Sequence, residues 1–227
     1  MMQFLRSCYW KIRLKWQDFQ NSMRSRKAVF ENIYNKSRWG NKETKSGTGS
    51  TLASTQKIID TLPHILHKYA IKAMLDIPCG DFNWMKEVNI GTAQYTGADI
   101  VPAIINENNR KYSSPARTFI VADLAEDHLP KVDLIFCRDC LVHLSYNDIH
   151  KALQNIHHSG ATYLLATTFS SHNNIDIITG NWRPINLQAP PFNLPSPIEI
   201  INEDCTESEG KYTDKALALW HVKDIPH

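Results

Sequence analysis

Between residues 73 and 169 the chain repeats a short apolar run that carries or meets an acid, and this rhythm limits the folds open to it more than any other feature. Ala73-Met-Leu-Asp-Ile77 carries Asp76 and passes into the small-residue turn Pro78-Cys79-Gly80, then Asp81 and the apolar Phe82–Met85. Tyr95–Ile100 contains Asp99, Arg117–Ala122 ends at Asp123, Asp133–Cys137 leads into Arg138-Asp139, and Ala161–Phe169 closes the series. Apolar runs of this length are strands buried on both faces. Helical stretches are expected between them: one around Asn83–Val88, one from Pro102, and Ser145–His157 with Ser145 as its cap. Strands alternating with helices at this spacing make a parallel sheet with helices on both sides.

Two further strand-like runs, Ile198–Asn202 and Lys215–Val222, flank the acidic turn Glu203–Gly210 and form an antiparallel hairpin added to the sheet. The expected class is therefore α/β, doubly wound and mostly parallel. Upstream, Thr51–Tyr69 has a helical apolar stripe through Ile58, Leu62 and Ile65, with Ser50 or Thr51 as its cap. The loop Ser46-Gly-Thr-Gly-Ser50 opens onto that helix N-terminus. It serves either as an anion cradle or as a plain linker; it lacks the Gly-Lys-Ser/Thr ending of a P-loop.

Residues 1–30 set Arg6, Lys11, Arg13, Lys15, Arg24, Arg26 and Lys27 against Asp18, with Phe4, Cys8, Ile12, Trp16, Phe19 and Met23 at helical spacing. Such a helix packs on the domain, or it lies on anionic lipid as a peripheral membrane contact with Trp10 and Trp16 at the interface. We divide the chain into a basic helical extension, 1–45, and a main domain, 46–227. The overall charge of +2 gives no reason to expect a nucleic-acid partner. The early charges interrupt any signal-peptide core, no run reaches the ~18 residues of a membrane span, and the five cysteines are scattered. These features point to the cytoplasm. Cys137 and Cys140 have no matching second pair, so no metal is expected. Nothing in the sequence fixes the oligomeric state.

In a doubly wound sheet the strand ends line one crevice, and here they present Asp76, Asp99, Asp123 and Asp139. Asp99 can accept both hydroxyls of a ribose, and Asp123 can accept from an adenine amine. Leu75-Asp-Ile-Pro-Cys-Gly-Asp-Phe82, Gly97-Ala-Asp-Ile100, Ala122-Asp-Leu124 and Leu134-Ile-Phe-Cys-Arg-Asp-Cys-Leu-Val-His-Leu144 together resemble the ordered motifs of class I S-adenosylmethionine-dependent methyltransferases. The resemblance implies a Rossmann-like, seven-stranded sheet with an antiparallel last strand. It also implies S-adenosylmethionine as cofactor, the ribose on Asp99, the adenine edge on Asp123 and the methionine part on the first turn. Candidate cofactor contacts are Asp76, Pro78, Cys79, Gly80, Asp81, Asp99, Ile100, Asp123, Leu124 and Arg138. Pro78 and Phe82 stand where that family has glycines. Their presence disfavours a pyrophosphate-bearing dinucleotide and leaves open that Phe82 fills the crevice.

His143 follows Asp139 by four residues, so on a helical turn the two would share a face as a His–Asp base; packing is the alternative role for His143. Ser170–Pro197 is long for a structureless connection, which marks function. Its His172, Asn173, Trp182 and Arg183 suit a polar small-molecule or glycan-precursor acceptor, methylated at oxygen. The rival expectations are a nitrogen or macromolecular acceptor, and a non-catalytic Rossmann-like binding subunit.

Overall fold

The computed structural model describes residues 18–226. Its elements are α1 (Arg26–Asn35), α2 (Leu52–Lys68), β1 (Ala73–Asp76), β2 (Gln94–Asp99), α3 (Pro102–Tyr112), β3 (Arg117–Val121), β4 (Leu134–Cys137), α4 (Tyr146–His158), β5 (Tyr163–Phe169), β6 (Glu199–Asn202) and β7 (Lys215–His221). They form one seven-stranded sheet in the order β3-β2-β1-β4-β5-β7-β6. β1 to β5 run parallel, and β7 lies antiparallel between β5 and β6. The strand order reverses between β1 and β4, which opens a crevice at their carboxyl ends.

The pleat explains why the central strands read as unbroken apolar runs. Leu75 of β1 and Ile135 and Cys137 of β4 pack toward α4, against Ile149, Leu153 and Ile156. Their neighbours Met74, Leu134 and Phe136 pack the other way, against Ile58, Leu62 and Ile65 of α2. Alternate residues thus feed two cores, and all of these side chains are almost fully buried. The caps fall where the sequence puts them. Thr51 accepts from the backbone N–H of Ser54, and Ser145 from that of Asp148, satisfying donors at each helix start.

The structure answers three points that the sequence raises, the first by correction. Asn83–Val88 forms only a short 3-10 turn, Met85–Glu87, because Trp84, Met85 and Val88 are drawn one by one into the core. Phe82 does not enter the crevice. The backbone turns through positive φ at Gly80 and again at Phe82, which carries the Phe82 ring to the α2 side among Tyr95, Tyr112 and Phe119. The third point concerns the basic N-terminal stretch. Trp10 and Trp16 lie outside the described residues; residues 18–22 are helical, the chain breaks at 23–25, and Ser25 caps the new helix α1. Phe19 and Met23, on the face read as packing on the domain or as lying on lipid, are 58% and 76% exposed, so the domain does not cover them.

Candidate active site

A cavity of about 660 Å³ opens over the switch point, within the range of small-molecule sites. All ten candidate cofactor contacts, from Asp76 to Arg138, line it, and so do Asp139, His143 and Trp182. Its other wall is the segment before α2, through Arg26, Tyr34, Trp39 and Ser46–Ser50 among others. A division at residue 45 therefore cuts through the site.

β1 and β2 bring Asp76 and Asp99 side by side at the cavity floor. Asp76 accepts a hydrogen bond from the Tyr95 hydroxyl, and burial, opposed by that bond, raises its pKa to about 7. Asp99 accepts from the backbone N–H of Val101 at 2.9 Å and of Gly80 at 3.3 Å. Burial still lifts its pKa to about 6, so it is chiefly ionised at neutral pH. Ile100, Ile104, Ala122 and Leu124 beside it offer an apolar slot.

Asp81 turns away from this pair. Thr44 Oγ1 and Ser46 Oγ donate to its carboxylate at 2.9 and 3.0 Å, and the Lys45 N–H donates at 2.7 Å, which pins the 44–46 loop over Gly80. A Cβ on Gly80 would lie 2.4 Å from Ser46 Oγ, and its φ is +54°, so the close approach needs glycine here.

Asp123, expected to meet an adenine amine, has its carboxylate taken by another partner. Arg26 of α1 donates through Nε to both its oxygens, at 2.8 and 3.1 Å, through NH1 to Asp148 at 2.7 Å, and pairs with Glu126 at 3.0 Å. Thus Asp123 holds the α1 wall in place. No pattern in the sequence joins residues 97 positions apart, so Arg26 escapes a reading of the sequence.

The expected His143–Asp139 pair does not form either. Asp139 has φ +51°, so the chain is not helical there, and the following turn is the short 3-10 segment Leu141–His143. Asp139 instead accepts from Lys215 Nζ at 2.7 Å and lies 3.3 Å from Arg138 NH1, while Arg138 NH2 donates to Glu203 at 2.8 Å. Burial acts to raise Asp139, but the Lys215 and Arg138 cations overcome it and hold the carboxylate below its ordinary range. This quartet, buried except for Asp139 on the cavity side, joins the tips of β4, β6 and β7. Within it, Arg138 Nε has no hydrogen-bond partner among the described residues.

His143 is organised from two other directions. Its Nδ1 lies 2.8 Å from the carbonyl oxygen of Asn181, and its ring stacks on Trp39 with centroids 4.3 Å apart. A carbonyl can only accept, so Nδ1 carries the proton and Nε2 keeps a lone pair. Burial, opposed by the Asn181 bond, lowers the pKa to about 4 and keeps the ring neutral.

The 170–197 segment supplies Trp182 to the cavity, edge-on to Tyr212 at 5.0 Å and to Phe169 at 6.2 Å. The other acceptor candidates lie elsewhere. Arg183 is buried and donates to the carbonyls of Leu141 and Leu144 at 2.7 Å each, bolting the segment to the His143 turn. His172 is tied to Asp214 at 3.0 Å, and Asn173 is exposed; neither lines the cavity.

Comparison with known proteins points the same way. Residues 74–159 match the methyltransferase-domain family. The N-methyltransferase NodS from Bradyrhizobium japonicum WM9, solved with S-adenosylhomocysteine, aligns over 86% of this chain and 100% of its own at 15% identity, with a TM-score of 0.61. Magnesium protoporphyrin IX methyltransferase from Synechocystis PCC 6803 aligns over 64% of this chain and 73% of its own at 16% identity, with a TM-score of 0.50. Human N-acetylserotonin methyltransferase, solved with S-adenosylmethionine, aligns over 84% and 58% at 15% identity, also with a TM-score of 0.50. No curated protein matches the chain. Fold and site define a class I, Rossmann-like methyltransferase domain. Residues 74–159 carry the match to that domain family, and the fold around them is the one that S-adenosylmethionine-dependent methyltransferases of that class adopt.

The residues present fit that cofactor. Asp99 offers an ionised acceptor for ribose hydroxyls, the slot beside it is apolar, and the Arg138 Nε–H is a buried donor in want of an acceptor such as the methionine carboxylate.

Proposed function

We propose that this enzyme methylates a hydroxyl of a polar small molecule or glycan precursor in the space beside His143. When bound, S-adenosylmethionine supplies an electrophilic methyl group on sulfur. The observation that carries the reading is the state of His143: neutral, with Nδ1 committed to the Asn181 carbonyl and Nε2 left as an acceptor on a cavity wall. A hydroxyl donating to Nε2 is held with a lone pair free to attack, and orientation of this kind supplies much of the acceleration in a displacement. A base this weak orients the hydroxyl until proton loss accompanies bond formation.

Trp182 offers an aromatic plate for the apolar face of a sugar ring, and a cavity of about 660 Å³ lined by α1 on one side suits a small acceptor. The free cysteines of the described residues, Cys79 and Cys137 among them, accord with work in the reducing cytoplasm.

The test is turnover on a panel of hydroxylated and aminated acceptors with labelled cofactor, the product bond located by mass spectrometry. Methyl on oxygen, with His143→Ala lowering kcat about 100-fold and KM little, is the expected result. Methyl on nitrogen would replace this reading with the amine one, and unchanged turnover in His143→Ala would return the residue to packing.

A further inference from the structure

Charge is distributed very unevenly along this chain. Residues 1–45 hold eleven Lys and Arg against three acids, a net +8, whereas residues 46–227 hold 14 against 20, a net −6. Such asymmetry is the footprint of a segment that meets an anionic partner. The structure shows where that charge is displayed. Seven of the eleven cations fall among the described residues: of these Arg26 turns inward, to its three carboxylates, and Arg24, Lys27, Lys36, Arg38, Lys42 and Lys45 are exposed on the wall that the segment forms. Arg38 and Lys45 also line the cavity, so the basic surface reaches its rim.

Large apolar side chains are exposed on the 18–22 helix end and on the segment that carries Trp182. Met23 is 76% exposed, Ile175 62%, and Trp182, which lines the cavity, 42%. The helix before Met23 and the stretch before Trp182 are joined: Asn181 Nδ2 donates to Asp18 at 2.9 Å, and Asn21 lies beside Gly180, which fixes the 18–22 helix against residues 180–181. Exposed cations around protruding Met, Ile and Trp side chains are the makeup of a surface that enters the headgroup layer of a bilayer. A nucleic acid would use the cations but leave Met23 and Ile175 without a counterpart.

We propose that the wall formed by residues 18–45 docks on an anionic phospholipid surface, with the mouth of the cavity turned toward the bilayer. This goes beyond the hydroxyl-methylation reading and does not depend on it, since vesicle binding and methyl transfer are measured separately.

The experiment is co-sedimentation of the full chain with vesicles of phosphatidylcholine alone, and with about one third phosphatidylglycerol, at low and high salt. Binding to the anionic vesicles only, lost at high salt, is expected. Arg24→Gln/Lys27→Gln/Lys36→Gln should weaken partitioning by roughly 100-fold, about fivefold per cation. Met23→Ser should weaken it further. None of these four residues lines the cavity, so S-adenosylmethionine affinity measured by calorimetry on the same variants should stay at the wild-type value and report that they are folded. Equal partitioning onto neutral vesicles, no partitioning at all, or a triple variant that binds like the wild type would overturn the proposal. Displacement from the vesicles by a charge-equivalent amount of RNA would overturn it in favour of nucleic acid.

Discussion

Asp99 shows how one buried carboxylate serves function at the expense of stability. Its folded pKa of about 6 lies above the ~3.9 of an unfolded aspartate, so between those values the folded chain binds more protons. Its contribution to stability is therefore greatest at low pH and is lost as pH rises through 6. Asp99→Asn keeps an oxygen for the Val101 N–H and removes the buried charge. We expect it to raise stability by about 1 kcal/mol at pH 8, and not at pH 5, as followed by urea midpoints. The same change should cost cofactor affinity roughly 100-fold in calorimetry, because hydrogen bonds to a charged acceptor are worth ~1.5–3 kcal/mol each. Wild-type affinity should fall as pH drops below 6, for the ribose site needs the ionised form. An affinity flat from pH 8 to 5 would remove Asp99 from the ribose role.

At the level of elements, the wall before α2 is held by ion pairs that are largely sheltered from water. Arg26, Asp123 and Asp148 have side chains only 11%, 15% and 12% exposed. Arg26→Met would leave the two sheltered carboxylates, Asp123 and Asp148, without their cation and should destabilise the fold by about 3 kcal/mol, within the range for breaking buried pairs. Adding Asp148→Asn should recover part of that loss, and a double variant no more stable than the single one would show that the pairing carries little. The contrast between sheet and wall also explains what the sequence reveals. β1 and β4 are legible because burial on both faces leaves a continuous apolar run, and the Ser145 and Thr51 caps are legible because capping is local. The Asp99 position follows from strand order. By contrast, the Arg26–Asp123 contact, the capture of Asp139 by Lys215 and the stacking of Trp39 on His143 join distant parts of the chain by side chains of no distinctive pattern. Spacing misleads for His143 in particular: a four-residue interval predicts a shared face only on a helix, and positive φ at Asp139 breaks the turn.

Across the whole molecule, the cavity gathers parts that are far apart in sequence: the segment before α2, the tips of the parallel strands, and Cys205, Glu207, Tyr212 and Lys215 from the β6–β7 end. The two distant ends also touch each other. Thr48 Oγ1 donates to Glu207 at 2.6 Å, and a Cβ on Gly49 would lie 3.2 Å from Asp139, so the Gly-rich loop rests on the ion quartet of β4, β6 and β7. A ligand filling this space must therefore order both ends at once. At a concentration 100 times its Kd, S-adenosylmethionine should add about 2.7 kcal/mol to stability, raising Tm by roughly 5–10 °C for a chain of this size. Hydrogen exchange should slow on binding in residues 44–50 and 205–212 together with the β1 and β2 turns, because opening either end then requires release of the ligand. Protection confined to residues 76–124 would mean that the cofactor occupies the strand tips alone, and that the N-terminal wall and the β6–β7 end close on the acceptor instead.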